Sequence, residues 1–313
     1  MGTRIEHDIL IEDAQAGQRL DQALAALLPD YSRSRIQQWI RQGEVTVDGR
    51  QPRPRDKVAS GQQVTLRAEL EEEQRVSAEP IPLRILHEDA HLLVVDKPAG
   101  LVVHPGAGNR EGTLQNALLH HDPTLAELPR AGIVHRLDKD TSGLMVVARS
   151  LPAHTALVAQ LQARSVSREY LALVSGCPVA GGTVEAPIGR HPRDRKRMAV
   201  VERGRPAVTH YRVETRLRAH TLLRCFLETG RTHQIRVHMA YVGYPLVGDP
   251  VYGGRLRLPP GATEAQRQAL RGFHRQALHA TRLALDHPDS GERVRWDAPM
   301  PEDMQALIAC LQG

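Results

Sequence analysis

Aromatic residues are scarce in this chain of 313 residues: two Phe, two Trp and six Tyr, 3% of the whole. A core must therefore be assembled from Leu, Val, Ile and Ala, and an aromatic in a polar setting, such as Tyr170, stands out. Cysteine is scarcer still. Cys177, Cys225 and Cys310 are odd in number, widely spaced and without C-x-x-C pairing. That argues against a disulfide framework and a cysteine-based zinc site, and leaves buried free thiols as the expectation. No apolar run approaches the roughly 18–20 residues that cross a bilayer. The opening Met1-Gly2-Thr3-Arg4-Ile5-Glu6 carries neither a signal-peptide core nor a myristoylation pattern, so a cytoplasmic protein away from membranes is expected. No G-x-G-x-x-G or P-loop opens a helix, which argues against dinucleotide and nucleoside-triphosphate binding.

What the chain does have is apolar substance and positive charge. Hydrophobic residues make up 41% and the net charge is +5, enough for two domains and suited to a polyanionic partner. Only Lys57, Lys97, Lys139 and Lys196 are lysine among 41 basic residues. The positive surface is almost wholly guanidinium, which grips phosphate in a bidentate fork. Between Glu69 and Pro80 charges cluster and apolar periodicity stops, marking a linker. The expected organisation is a small domain over 1–68, a linker over 69–80 and a large domain over 81–313.

In the small domain Leu20, Leu24 and Leu27 fall at helical spacing within Gln18–Leu28. A second helix follows, with Ser32 or Ser34 as cap, Ile36, Trp39 and Ile40 as its apolar stripe, and Arg33, Gln37 and Arg41 on a polar face. Strands are predicted at 44–47 and 63–66, with Asp48-Gly49 as a two-residue turn. Seven basic residues, Arg33, Arg35, Arg41, Arg50, Arg53, Arg55 and Lys57, stand against three acidic ones over 33–57. Arg19-Leu20-Asp21, Ser32-Arg33-Ser34 and Gly43-x-Val45-x-Val47-Asp48-Gly49 resemble the S4 RNA-binding domain, a small α/β module. The resemblance implies that those seven residues contact RNA phosphates.

The large domain shows apolar strands at 85–89, 92–97, 101–104, 133–134, 144–148, 170–174 and 222–227, with helices at 153–163 and 263–271. Strand and helix do not alternate as repeated βαβ units. The predicted class is therefore α+β, built on a mixed, largely antiparallel sheet. Between two of these strands, His135, Arg136, Asp138, Lys139 and Asp140 crowd together, which is costly unless the charges serve chemistry.

The run His135-Arg136-Leu137-Asp138-Lys139-Asp140-Thr141-Ser142-Gly143-Leu144 resembles the active-site signature of the ribosomal large subunit pseudouridine synthases. Arg168-Glu169-Tyr170-Leu171-Ala172-Leu173-Val174 is similar to that family's tyrosine motif, although the family pattern there begins with Lys. Glu228-Thr229-Gly230-Arg231-Thr232-His233-Gln234-Ile235-Arg236-Val237-His238 is similar to its basic motif. Gly248-Asp249-Pro250-Val251-Tyr252-Gly253 and Ala298-Pro299-Met300-Pro301 also fit. With an S4-like module ahead, the combination resembles the family's synthase D branch.

That resemblance implies a cofactor-free isomerisation of uridine to pseudouridine in large-subunit (23S) ribosomal RNA, free or in a pre-50S particle. The N1–C1′ bond breaks, uracil turns, and C5 rejoins C1′. Asp138 takes the part of the catalytic carboxylate. A carboxylate with an ordinary pKa of about 3.9 is ionised at neutral pH and can act as nucleophile or stabilise positive charge on the sugar. Arg236 is its counter-charge, since desolvation raises a carboxyl pKa and a neighbouring guanidinium lowers it. Arg136 fills the space left by the flipped uridine, Tyr170 walls the uracil, and His135, Lys139, Asp140 and Thr141 order the loop. Arg231 joins the RNA-binding set. So does the cluster Arg190, Arg193, Arg195, Lys196 and Arg197, part of a stretch with seven basic and two acidic residues over 190–205. His135, His233 and His238 lack metal-ligand spacing, so no metal is expected. Nothing in the sequence asks for more than a monomer.

Overall fold

The computed structural model describes residues 3–29, 31, 33–70, 76–106 and 108–312. The chain divides into two compact units, Met1–Arg75 and Val76–Gly313. The first consists of β1 (Thr3–Leu10), α1 (Leu20–Leu27), α2 (Arg33–Gln42), β2 (Val45–Val47) and β3 (Gln63–Leu70). Its antiparallel sheet runs β1-β3-β2. Leu20 and Leu24 of α1 meet Ile36, Trp39 and Ile40 of α2 and the sheet residues Val45, Val64 and Leu66 in one core, as the helical spacing requires. Asp48 and Gly49 both have positive φ, 49° and 75°, the conformation a two-residue turn of the primed type demands. Strand β1 is not foretold by the sequence. Its charged residues alternate with Ile5 and Ile9 too sparsely to announce an edge strand. Ser32 lies outside the described residues, as does the side chain of Ser34, and residues 71–75 of the expected linker lie outside them too.

The second unit holds β4 (Ile85–Glu88), β5 (Leu92–Lys97), α3 (Leu114–His121), β6 (Ser142–Ala148), α4 (Leu151–Gln162), β7 (Ser167–Ser175) and β8 (Gly182–Glu185). It continues through β9 (Ile188–Arg190), β10 (Met198–Val200), β11 (Val208–Arg216), β12 (His220–Leu227) and α5 (Gln234–Tyr241). Next come α6 (Glu264–Gly272), β13 (Leu278–Asp286), β14 (Arg293–Asp297) and α7 (Glu302–Gln312). Nine strands form one sheet in the order β4-β5-β6-β13-β7-β12-β11-β8, with β14 on β13. Its pairings are antiparallel except between β6 and β13, so the sheet is mixed and largely antiparallel. Apolar side chains cover both faces of its centre, which is why β6 is buried along its whole length. Gly143 lets β6 and β13 meet: its φ is 114°, and a Cβ there would stand 2.2 Å from Ala280 O.

Several sequence expectations shift. Residues 101–104 and 133–134 are not strands; Val102 and Ile133 each make a single bridge. Ser77 and Glu79, expected in the linker, are tied to the second unit. The Asn116 side chain donates to Ser77 O at 2.8 Å, and Glu79 N–H donates to Asn116 O at 3.0 Å. Of the three thiols only Cys225 is fully buried; Cys177 is exposed, because it follows β7 into a surface turn. Among the described residues no helix is long and apolar enough to cross a membrane.

Candidate active site

Residues 134–141 form a loop that leads into β6, and almost every position in it is fastened. Val146 N–H donates to His135 Nε2 at 3.0 Å, so that nitrogen must be unprotonated. Burial, helped by the charge of Arg168, pushes the His135 pKa down to about 3, in keeping with a neutral ring. Leu137 plugs into the core. Thr141 N–H donates to Asp138 O at 3.1 Å, closing a turn. Lys139 O accepts from Gly100 N–H at 2.9 Å and from Lys97 Nζ at 3.0 Å. Lys97 is fully buried and also donates to Pro98 O and Leu101 O, each at 2.8 Å. Arg275 Nη1 donates to Asp140 O at 3.3 Å and Gln276 Nε2 to Thr141 Oγ1 at 3.1 Å. Hydrogen bonds thereby fix the loop, and Asp138 is left facing a cleft of about 630 Å³.

Across that cleft stands Arg236, on the first turn of α5. Gln234 anchors this helix start: its Oε1 accepts from Arg231 N–H and Thr229 Oγ1, and its Nε2 donates to Val208 O and Thr209 Oγ1. Arg236 Nη1 donates to Asp138 Oδ2 at 2.9 Å. Its Nε and Nη2 donate to the two oxygens of Asp249 at 2.7 and 3.0 Å. Burial acts to raise the Asp249 pKa, but the hydrogen bonds and charge of Arg236, with the amides of Tyr252 and Val251, outweigh it and hold the carboxyl below its usual range. Burial alone would lower the Arg236 pKa; the two carboxylates raise it.

His233 caps α5 in the left-handed conformation, φ 58°. Its Nδ1 hydrogen-bonds the Tyr252 hydroxyl at 2.8 Å, and its Nε2 lies 3.9 Å from Asp138 Oδ1. Tyr170, buried on β7, lines the same cleft. Burial raises its pKa, as does Asp138, while Arg168 pulls the other way. The phenol is therefore protonated at neutral pH.

The structure thus brings Asp138, Tyr170, Arg236, Arg136, His135, Thr141 and Arg231 to one cleft. Arg136 is exposed and makes no salt bridge to Asp140. Lys139 and Asp140 do not line the cleft; the backbone of both, rather than the side chains, braces the loop. Arg190 at the end of β9 and Arg193, Arg195 and Lys196 on the β9–β10 connection are exposed, and Arg197 lies over the Tyr252 ring, 5.4 Å from its centroid. His238 is consumed by Thr209 Oγ1 and Ala186 O. Among the described residues no three His, Cys, Asp or Glu side chains gather as a cation site.

In the N-terminal unit Arg41, Arg50, Arg53, Arg55 and Lys57 are exposed and Arg35 half-buried. Arg33 has a second duty. It donates to the fully buried Asp21 at 2.9 Å, beside Arg19. Burial works to raise the Asp21 pKa, and the bonds from Arg19, Gln37 and Arg33 bring it down. Arg19, Gln37, Arg41, Arg53 and Arg55 surround a shallow depression on this unit.

The sequence alone assigns no role to Asp249, His233, Tyr252 or Lys97. Asp249 and Tyr252 belong to the Gly248–Gly253 motif, and Lys97 is visible there only as one of four lysines.

A mixed sheet that presents an aspartate loop, a buried tyrosine and a helix-borne arginine to one cleft defines a class. The chain matches the family model described as RNA pseudouridylate synthase over residues 91–241 and that of the S4 domain over residues 18–64. It belongs to the RNA pseudouridylate synthase family, and is an isomerase. Three relatives in that family share one name. Ribosomal large subunit pseudouridine synthase D of Xanthomonas campestris pv. campestris is 59% identical over 97% of this chain and 92% of its own length. The protein of that name from Pseudomonas aeruginosa is 62% identical over 95% and 92%, and that from Escherichia coli strain K12 is 56% identical over 100% and 96%. Among solved structures, human RNA pseudouridylate synthase domain containing 1 and 4 each align with a TM-score of 0.56 at 26% identity. They cover 75% and 73% of this chain and 90% and 92% of their own.

Proposed function

We propose that this chain converts uridine to pseudouridine in large-subunit ribosomal RNA, with Asp138 as the catalytic carboxylate. The observation that carries the reading is the 2.9 Å contact between Asp138 Oδ2 and Arg236 Nη1 in a cleft that Tyr170 also lines. A carboxylate so placed can meet positive charge at C1′ as the glycosidic bond opens, either by attack or electrostatically. Arg236, itself clamped by Asp249, fixes the direction of that carboxylate.

The target uridine must leave its stack, at a cost of a few kcal/mol. Arg136, exposed at the cleft, takes the vacated place in the RNA, and the uracil stacks on Tyr170. The exposed arginines of the S4 unit and of the 190–197 connection contact phosphates and set register and affinity without reading sequence. The protein works in the cytoplasm on ribosomal RNA, and one chain supplies every group named here, so a monomer suffices.

The test is to incubate the purified protein and its Asp138→Asn variant with large-subunit rRNA and map pseudouridine chemically. The parent is expected to install pseudouridine, the variant none. Equal modification by both would remove Asp138 from its role.

A further inference from the structure

Among the described residues two arginines are buried, Arg168 and Arg236, and their surroundings differ in kind. Arg236 is met by two carboxylates. Arg168, 8% exposed, is met by none among the described residues. Its Nε has no hydrogen-bond partner, and its Nη2 makes one long donation, 3.5 Å, to Glu228 O. A buried guanidinium without a counter-ion is expensive unless an anion arrives to complete it.

The position of Arg168 says where that anion comes from. It stands on β7 two residues before Tyr170, so the strand's pleat puts both side chains on one face, and both line the cleft that holds Asp138. Gly230 makes room for it: a Cβ there would come within 2.8 Å of Arg168 Nη1. Arg236 is poorly suited to the same anion, since its charge is already met by the carboxylates of Asp138 and Asp249.

We propose that Arg168 receives the negative charge of the uracil base when the glycosidic bond opens. The inference rests on the function proposed above. When N1–C1′ breaks, the bonding pair stays with the ring, giving a monoanion whose charge is shared by N1, O2 and O4. C1′ is left positive and faces Asp138. The ring turns, C5 uses a ring electron pair to bond C1′, the C5 proton passes to a base, and N1 takes up a proton. Nothing is oxidised and no atom leaves. A planar fork of donors with no competing carboxylate can bind either ring oxygen throughout the turn, and needs no reorganisation at the moment charge appears. Burial beside Tyr170 places this guanidinium where the ring lies, whereas an RNA phosphate stays nearer exposed groups such as Arg136.

The test compares full-length parent, Arg168→Met and Arg168→Lys in single turnover at saturating enzyme, on rRNA transcripts carrying uridine or 5-fluorouridine. Fluorine makes the ring more acidic and its anion a better leaving group. For Arg168→Met we expect bond opening on uridine RNA to slow by roughly 10²–10³-fold, with RNA Kd within about threefold of the parent because phosphate contacts lie elsewhere. The defect should shrink about tenfold or more on 5-fluorouridine RNA, and Arg168→Lys, which keeps a charge and guards against a folding defect, should recover part of the rate. An unchanged rate overturns the proposal. So does a weakened Kd with a normal saturated rate, which would mark a phosphate contact, or an equal loss on both RNAs, which would mark a structural role. If the parent itself makes no pseudouridine, the proposed function fails first and takes this inference with it.

Discussion

Asp249 occupies two of the three donor positions that Arg236 uses, leaving Nη1 alone to face Asp138. Asp249 is itself held by the Val251 and Tyr252 amides, and the Arg236 guanidinium lies 5.0 Å from the Tyr252 ring centroid. The direction of the Asp138 carboxylate is therefore set by a fully buried group that does not line the cleft. Replacing Asp249 with Asn should lower the single-turnover rate by roughly 10²-fold through misplacement of Arg236. It should also destabilise the protein by about 3–5 kcal/mol, the range for breaking a buried ion pair. Rapid-quench kinetics and urea unfolding read the two effects; a stable variant with full activity would contradict the clamp.

Tyr170 offers a cleaner separation of ring from hydroxyl. Among the described residues no protein group hydrogen-bonds its hydroxyl, so Tyr170→Phe should keep stability and RNA affinity while losing turnover. Tyr170→Ala removes the stacking surface as well and should cost roughly 1–3 kcal/mol in binding. RNA binding by filter retention, set beside product formation, checks both. A Phe variant as fast as the parent would confine Tyr170 to stacking.

His135 predicts how the fold responds to acid. Its folded pKa is about 3, against roughly 6.5 in an unfolded chain. Between those values the unfolded state binds the extra proton, so stability rises with pH across this window and falls on acidification from about 6.5 towards 3. His135→Gln offers Val146 N–H an acceptor that does not titrate. Urea unfolding from pH 7 to pH 4 should show a flatter profile for this variant than for the parent. Parallel profiles would mean that the imidazole stays charged in the folded state.

Arg193, Arg195 and Lys196 are exposed and lie outside the cleft, so changing all three to Gln should act on RNA affinity alone. The slope of log Kobs against log salt should become shallower by roughly 0.7–0.9 for each phosphate that is no longer neutralised. The single-turnover rate at saturating enzyme should stay within about twofold, since phosphate contacts position the RNA without taking part in the reaction. An unchanged salt slope would leave this connection without a part in binding.

The α+β class, the largely antiparallel sheet and the S4 module were legible because their signals are local. Leu20, Leu24 and Leu27 mark a helix by spacing, Asp48-Gly49 marks a turn by its tolerance of positive φ, and the apolar run 144–148 marks a buried strand. Strand β1 was illegible, since its residues pair across the chain with Gln63–Leu70 and carry little apolar pattern of their own. Arg33 looked like a free cation because nothing near it in sequence reveals the buried carboxylate of Asp21.

For the site, the residue types themselves were plain in the sequence. His135 to Gly143 is a contiguous run whose turn geometry depends on near neighbours, so it could be read as a loop that carries an aspartate. The pairing of Asp138 with Arg236 was legible only through the family resemblance, and the second carboxylate on Arg236, Asp249, was decided only in three dimensions. Asp138 and Arg236 are 98 positions apart, and they touch because the loop before β6 and the first turn of α5 open into one cleft. Folding gave Arg236 two carboxylates and Arg168, among the described residues, none. Both are arginines in the same chain, and only the low-dielectric surroundings into which each is packed give them different work.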